Sequence, residues 1–400
     1  MYYLMGIFTF SNLLSLGKIG NTDLQLLFMP TCFLFFTVVK NIKHVIRNGY
    51  NNITLLIVGY FFICLFSVFF IDASYSIGIY LKNIVNLLVG IAIYLEVVYA
   101  GNKYKVYIYN GIVIGLIMNF VFVLFQYVTR ISIPDNFLLG GHTQSMAYML
   151  SVHHRVLGLF IEPSYLAIHL VTTLLLLYYH FRFRVLYYIV VVSSFLTYSP
   201  ISLLLPIGIF VLFILEFRVR KVKIISMGLF IKAIFFIFIF IALITLLPKT
   251  LLFNFDTQKD DSLWNNIYLT SPQNESRYST VKDGLLLFKQ KPLGVGYGMA
   301  IPYVTSFTNV PRLHSVALAV LIEIGILGFF YLGAFLVYVL IKLLKLKSKP
   351  ANALFVCLIC YIIIMLNGSG IKFFHIWFFL GFSSIEIKTI LNKSSSLNSK

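Results

Sequence analysis

Residues 53–71 read Ile-Thr-Leu-Leu-Ile-Val-Gly-Tyr-Phe-Phe-Ile-Cys-Leu-Phe-Ser-Val-Phe-Phe-Ile, without one Asp, Glu, Lys or Arg. Such a stretch is as long as a bilayer core is thick, since a span takes about 20 apolar residues, with a range of about 17 to 25. In lipid the backbone N–H and C=O groups must find partners within the chain, so the stretch crosses as a helix. Comparable stretches recur near 1–16, 24–39, 77–99, 106–128, 159–180, 185–198, 201–216, 224–247, 314–341, 351–366 and 372–388. The expected fold class is therefore all-α, a polytopic integral membrane protein of about 12 transmembrane helices. It forms one transmembrane domain over 1–388, with a polar, disordered tail at 389–400. The first stretch lacks a basic leading segment and a small-residue cleavage site, so it is expected to stay as a span.

Composition closes the alternatives. Charged residues make up 11% of the chain, against roughly a quarter in soluble domains. Four Cys in 400 residues do not make a disulfide scaffold. Cys357 and Cys360 have C-x-x-C spacing but lie in an apolar stretch, where they read as small packing residues. The net charge of +18 does not call for nucleic acid, because short cytoplasmic loops of membrane proteins collect Lys and Arg.

That rule also orients the chain. The run 185–216 is broken at Ser199-Pro200 and again at Pro206, and proline breaks or kinks a helix. Its length allows two short spans or one kinked span. Two spans place Lys40, Lys43 and Arg47, then Lys103 and Lys105, Arg182 and Arg184, the 218–223 cluster, Lys342 to Lys349 and the C-terminal tail all on one side. One span would put either Arg182/Arg184 or the 218–223 cluster opposite the rest. The expectation is cytoplasmic N- and C-termini, with two longer loops, about 129–158 and 248–313, containing short helices on the outer face. Long ordered loops are usually functional. The membrane core holds few ionisable groups, chiefly Lys82, Glu96, Lys232 and Glu323, with Glu162 and His169 near or inside a span. An ion-coupled transporter usually displays more. No phosphate-binding loop, dinucleotide fingerprint or metal motif is present.

The stretch 153–169 reads His-His-Arg-Val-Leu-Gly-Leu-Phe-Ile-Glu-Pro-Ser-Tyr-Leu-Ala-Ile-His. Arg155 stands just before an apolar span whose first turn holds Glu162, Pro163 and Ser164. The free N–H groups of that turn favour an anion, and an arginine adds two-pronged contacts to phosphate. Glu162 has the chemistry of a general base or of an orienter for an arginine. Arg155 reads equally well as a headgroup anchor and Glu162 as a helix-start residue.

In the second loop, Ser276 to Gln290 reads as an amphipathic segment, with Leu285, Leu286 and Phe288 on the membrane and Lys282, Asp283 and Lys289 in water. Pro292 stops it. Gly294, Gly296 and Gly298 alternate, which permits tight turns and close approach to a ligand. His314 opens the next span at its outward N-terminus, where a neutral imidazole can take a proton from a hydroxyl; a turn-capping role is the alternative. Glu323, Gly325 and Gly328 follow.

These two stretches, in this order and on this topology, resemble the bacterial O-antigen polymerase (Wzy-type) family, within the O-antigen ligase-like superfamily. Arg155-x-x-Gly158-x-Phe160-x-Glu162-Pro163-Ser164 is similar to the polymerase signature. Ser276-Arg277, Pro292 to Gly296, His314 and Glu323-x-Gly325-x-x-Gly328 are similar to a large-loop signature shared with ligases. The resemblance implies an inner-membrane enzyme with a periplasmic site. It would pass a growing glycan from undecaprenyl diphosphate to the non-reducing end of a new lipid-linked repeat unit, by inverting transfer without metal or other cofactor. It implies Arg155 and Arg277 on the diphosphate, with Arg312 as a third and Ser164 beside them. His314 or Glu162 would be the base, with Arg277 balancing charge. Tyr278 and Tyr297 would stack on sugars, and Gly294 and Gly296 would give the ligand close backbone approach. A flippase and a chain-length regulator are the partners implied beside membrane lipid. An O-antigen ligase is the nearest alternative, and a lipid-linked oligosaccharide transporter the more distant one.

Overall fold

The computed structural model describes residues 1–9, 15–19, 22–25, 27–72, 74–131, 156–160, 163–177, 191–194, 196–197, 199–220, 272–307, 315–367 and 375–398. The protein is a largely helical, polytopic membrane protein. Its helices are α1 (Tyr2–Thr9), α2 (Phe28–Lys40), α3 (Ile42–Asn48), α4 (Asn51–Phe66, prolonged by a 3₁₀ turn Ser67–Phe70), α5 (Ile77–Thr129), α6 (Pro163–Leu177), α7 (Leu204–Arg220), α8 (Pro272–Gln290), α9 (Ala300–Phe307), α10 (Val316–Leu346), α11 (Lys349–Asn367) and α12 (His375–Asn398).

Among the described residues four helices are long and apolar enough to cross a membrane: Asn51–Phe70, Ile77–Thr129, Val316–Leu346 and Lys349–Leu366. Against the expected count of about 12 spans, four are therefore found among the described residues, and three features account for differences within them. First, α5 is two limbs in one. Gly101 breaks it at φ 52, ψ −152, a conformation only glycine holds cheaply. The neighbours on α12 show that the chain reverses there. The first limb runs alongside α12 in the same direction: a Cβ at Gly90 would meet the Trp377 indole, and one at Gly381 would meet Val97. The second limb runs against it, with Asn102 bonded to Thr389 at 2.9 Å, Lys105 paired with Glu386 at 3.2 Å and Tyr109 stacked on Phe382 at 4.9 Å. The expected spans 77–99 and 106–128 are these limbs, turning where Lys103 and Lys105 predicted a loop.

Second, the expected span 1–16 stops at Thr9. Ser15–Ile19 and Thr22–Gln25 instead form an antiparallel pair with Ile19 opposite Thr22. This small hairpin departs from an all-α chain. Its sequence signal is Gly20-Asn21 between two stretches carrying Lys18 and Asp23. Third, α2 and α7 are short. Pro200 opens a 3₁₀ turn, Pro200–Leu203, before α7 starts. Pro206 then falls in the first turn of α7, where its missing N–H would have had no helical partner. The expected span 224–247 and most of 185–198 lie outside the described residues.

At the C-terminus α12 runs to Asn398, into the stretch read as a polar tail. No Gly or Pro follows Gly381 to stop it. Small residues set the closest helix contacts. On α5, Gly111 and Gly115 face α1: a Cβ at Gly115 would lie 3.1 Å from the Ile7 carbonyl, and one at Gly111 would strike the Tyr3 carbonyl. This is the close approach that small residues spaced four apart allow in membranes. Cys64, Cys357 and Cys360 are buried and Cys32 is exposed, all as free thiols. That agrees with the packing role read for Cys357 and Cys360.

Candidate functional site

The second-loop signature folds back onto α10. α10 starts with Ser315 as N-cap, its hydroxyl accepting from the Leu318 amide at 3.2 Å; His314 was expected to open this helix, and Ser315 caps it instead. Ten residues on, α10 breaks at Gly325, whose φ of 68 and ψ of −174 lie in a region essentially reserved to glycine. A broken helix leaves carbonyls and amides without partners. Here the glycine loop supplies them. Val295 N donates to Ile322 O and Gly296 N to Glu323 O, both at 3.0 Å, while Ile326 N donates to Pro292 O at 3.0 Å. Gly294, Gly296 and Gly298 all have positive φ, at 100, 105 and 80. The close approach expected of Gly294 and Gly296 is thus made to the protein itself: a Cβ at Gly294 would sit 2.6 Å from the Glu323 carbonyl, and one at Gly296 would strike the Ile71 side chain.

Two further ties fix the loop to α4. Ser67 Oγ accepts from the Tyr297 amide at 2.8 Å and donates to Cys64 O at 2.6 Å. Lys291 Nζ meets both Asp72 carboxylate oxygens, at 2.8 and 2.7 Å. That hydrogen-bonded carboxylate holds the Lys291 ammonium above its usual range. α8 extends the amphipathic segment expected over Ser276–Gln290 back to Pro272. Gly284 and Leu287 turn to α10, and a Cβ at Gly284 would meet Leu318 Cδ2 at 2.6 Å. Leu285 and Leu286 stay exposed, as an interfacial helix requires.

Between these elements lies a cavity of about 130 Å³, against ~300–1,000 Å³ for a pocket that encloses a drug-sized ligand. It takes one group, not a whole oligosaccharide. Its polar wall is Tyr60, Asn86, Tyr297 and Glu323, its apolar wall includes Phe335 and Met365, and Trp377 stands beside them. Val316, Ala319, Val320 and Glu323 line it in turn, so it runs along one face of α10 from the helix start. Tyr297 and Glu323 are therefore brought together. A carboxylate and two phenols beside hydrocarbon suit a hydroxyl-bearing ligand.

The first-loop signature is positioned by a separate device. Gln126, fully buried on α5, accepts from the amides of Leu157 at 2.9 Å and Gly158 at 2.8 Å, and donates to Gly158 O at 2.9 Å. Asn119, two turns earlier on the same face, accepts from Leu159 N at 3.0 Å and donates to Gly115 O at 3.1 Å. Gly158 turns the chain at φ 58. Phe160 then packs on His169 of α6 at 5.2 Å between ring centroids, and His169 faces His375 at 5.8 Å. The backbone is thus held immediately after Arg155 and immediately before Glu162-Pro163.

Arg155, Glu162, Arg312 and His314 lie outside the described residues. Ser164, Arg277 and Tyr278 are placed by backbone alone, in the first turn of α6 and in α8. Sequence reasoning missed Asn119, Gln126, Ser67, Tyr60, Asn86 and Trp377. Asn119 and Gln126 did carry a signal: two amides seven residues apart share one helix face in an otherwise apolar span.

Residues 185–333 match the sequence profile of a family described as O-antigen ligase. The matched region holds Arg277, Gly294, Gly296, Tyr297, Arg312, His314 and the Glu323 to Gly328 segment, and ends before α11. Over these residues the chain is similar to that family. No curated protein matches the chain.

Proposed function

We infer that the protein is an O-antigen or related surface-polysaccharide polymerase. It transfers a growing glycan from undecaprenyl diphosphate to the non-reducing end of a new lipid-linked repeat unit, with inversion, at the periplasmic face of the inner membrane. The observation that carries this reading is the family match over 185–333, joined to the Arg155…Glu162-Pro163-Ser164 run that stands outside it. In this reading Arg155, Arg277 and Arg312 hold the leaving diphosphate and offset the charge that develops there. His314 or Glu162 takes the acceptor proton. Ser164, Tyr278 and Tyr297 contact substrate, and Gly294 and Gly296 set the loop that carries Tyr297. A flippase and a chain-length regulator would work beside it.

A ligase passing the glycan to lipid A core sugars is the second reading, favoured by the description of the matched family itself. Lipopolysaccharide from a deletion strain separates the two on a stained gel. Loss of a polymerase leaves core plus one repeat unit; loss of a ligase leaves bare core. An unchanged ladder that the restored gene does not alter would reject both.

A further inference from the structure

A second concave surface lies at the other end of α10, away from the glycine loop. Tyr50 and Tyr338 join their hydroxyls at 3.0 Å, and Asn52 Nδ2 reaches both, at 3.3 and 3.0 Å. The two amide hydrogens of Asn52 are used on these oxygens. One phenolic proton closes the mutual bond, which leaves the other available to a further acceptor. Lys342 Nζ stands over both rings, 5.9 Å from the Tyr50 centroid and 5.4 Å from that of Tyr338. Among the described residues no carboxylate pairs with it. Among the described residues the cluster of Tyr50, Asn52, Tyr338 and Lys342 therefore presents donors and positive charge with no anion of its own.

From this cluster an apolar groove of about 460 Å³ runs between α4 and α10. Leu55 and Leu56 form one wall, Ala334 and Phe335 the other. Tyr331 closes the far end by donating to Leu56 O at 2.9 Å, packed where a Cβ at Gly59 would strike its hydroxyl. From Tyr331 to Tyr338 the groove follows two turns of helix, roughly 10 Å. Hydrocarbon along the groove would bring a phosphate to Lys342.

We propose that this groove is a binding site for one anionic lipid of the bilayer, its chain between Leu55 and Ala334 and its phosphate against Lys342, Tyr338 and Tyr50. A basic residue near an anionic membrane surface contributes about 1 kcal/mol, which is roughly five-fold in affinity. A second copy of the chain would have to bring its own anion to the same cluster, and nothing in the matching α4–α10 surface supplies one.

The test is thermal unfolding of the full-length protein in detergent, titrated with phosphatidylglycerol or with phosphatidylcholine. Phosphatidylglycerol should give a saturable rise in Tm that phosphatidylcholine does not match. Lys342→Gln should raise its half-saturation about five-fold, Lys342→Arg should keep it near the parental value, and Lys347→Gln should not change it. Ala334→Phe fills the groove and should abolish the saturable part; if that variant does not fold, Leu55→Trp fills it from the opposite wall and decides. Equal response to the two lipids, or an unchanged response in both Lys342→Gln and the groove-filling variant, overturns the proposal. A lipid-insensitive dimer by native mass spectrometry that Ala334→Phe makes monomeric overturns it in favour of a second copy.

Discussion

Gly294 and Gly325 meet backbone to backbone where the glycine loop enters the break in α10. A Cβ on Gly294 would stand 2.7 Å from the Gly325 nitrogen, and one on Gly325 would run into the Leu293 carbonyl. Both residues also have positive φ, at 100 and 68. Their alanine variants thus combine steric conflict with backbone strain, and a residue forced into such a region costs about 1–3 kcal/mol on its own. Gly294→Ala and Gly325→Ala should each lower the unfolding temperature. Because they disturb one contact, the double variant should fall short of the sum. Strict additivity in a double-variant cycle would mean that the loop and the helix break are independent.

Gln126 anchors the other signature. Gln126→Leu keeps the volume but strands the Leu157 and Gly158 amides and the Gly158 carbonyl. A buried group left without its partner costs about 1–3 kcal/mol. The variant should lose stability and transfer activity together, since Arg155 and Glu162 flank the turn. Asn119→Leu removes fewer bonds to that turn and should be the milder of the two. Parental activity and unfolding temperature in Gln126→Leu would show that the turn holds its shape without the amide.

Legibility followed the range of the interaction. Bilayer-length apolar stretches marked α4, both limbs of α5, α10 and α11 to within a few residues, because hydrocarbon thickness dictates their length. The reversal at Gly101 was readable from Lys103 and Lys105. The strand pair at 15–25 was passed over despite Gly20-Asn21, since its apolar residues merged with those before it. The Gly294 to Gly298 run announced close backbone approach, but the approaching partner is the broken segment of α10, which lies more than 20 residues further along the chain. In the same way Gln126 went unread, because its partners Leu157 and Gly158 lie at the far end of the first long loop. Glu323 read as part of the large-loop signature and Tyr297 as a sugar-stacking residue; that Tyr60, Asn86 and Trp377 complete a cavity with them depends on how α4, α5 and α12 pack.

Topology is testable without activity. Reporter fusions after Gly101, Arg184, Arg220 and Lys347 should read cytoplasmic, and fusions near Gly141 and Trp264 periplasmic. The reversal of α5 at Gly101 and the helix restart after Pro200 motivate the first and third positions. A periplasmic signal at Arg220 would mean that 185–216 crosses once.

The proposed diphosphate contacts of Arg155 and Arg277 predict a charge-conserving loss. Arg155→Lys and Arg277→Lys keep the positive charge but lose the planar, two-pronged fork that suits phosphate oxygens. Each should lose most of the transfer activity at normal protein level. Arg130→Lys should be mild, because Arg130 caps the end of α5 and lies over the Tyr127 ring at 4.9 Å, a contact lysine can also make. Parental polymerisation in both lysine variants would place the diphosphate elsewhere.

In the proposed reaction His314 and Glu162 are the two candidates to take the acceptor proton, and their variants distinguish them. In sequence His314 directly precedes Ser315, the N-cap of α10, and Glu162 directly precedes Pro163, the first residue of α6. A positioned general base contributes roughly 100- to 10,000-fold. With purified protein and lipid-linked repeat units, His314→Ala should reduce turnover by that order while donor binding persists. Glu162→Gln keeps shape and hydrogen bonding without basicity. If Glu162→Gln alone is inactive while still binding donor, Glu162 is the base. Near-parental turnover in both variants would leave the arginines' stabilisation of the departing diphosphate as the main source of catalysis, with the proton passing to solvent.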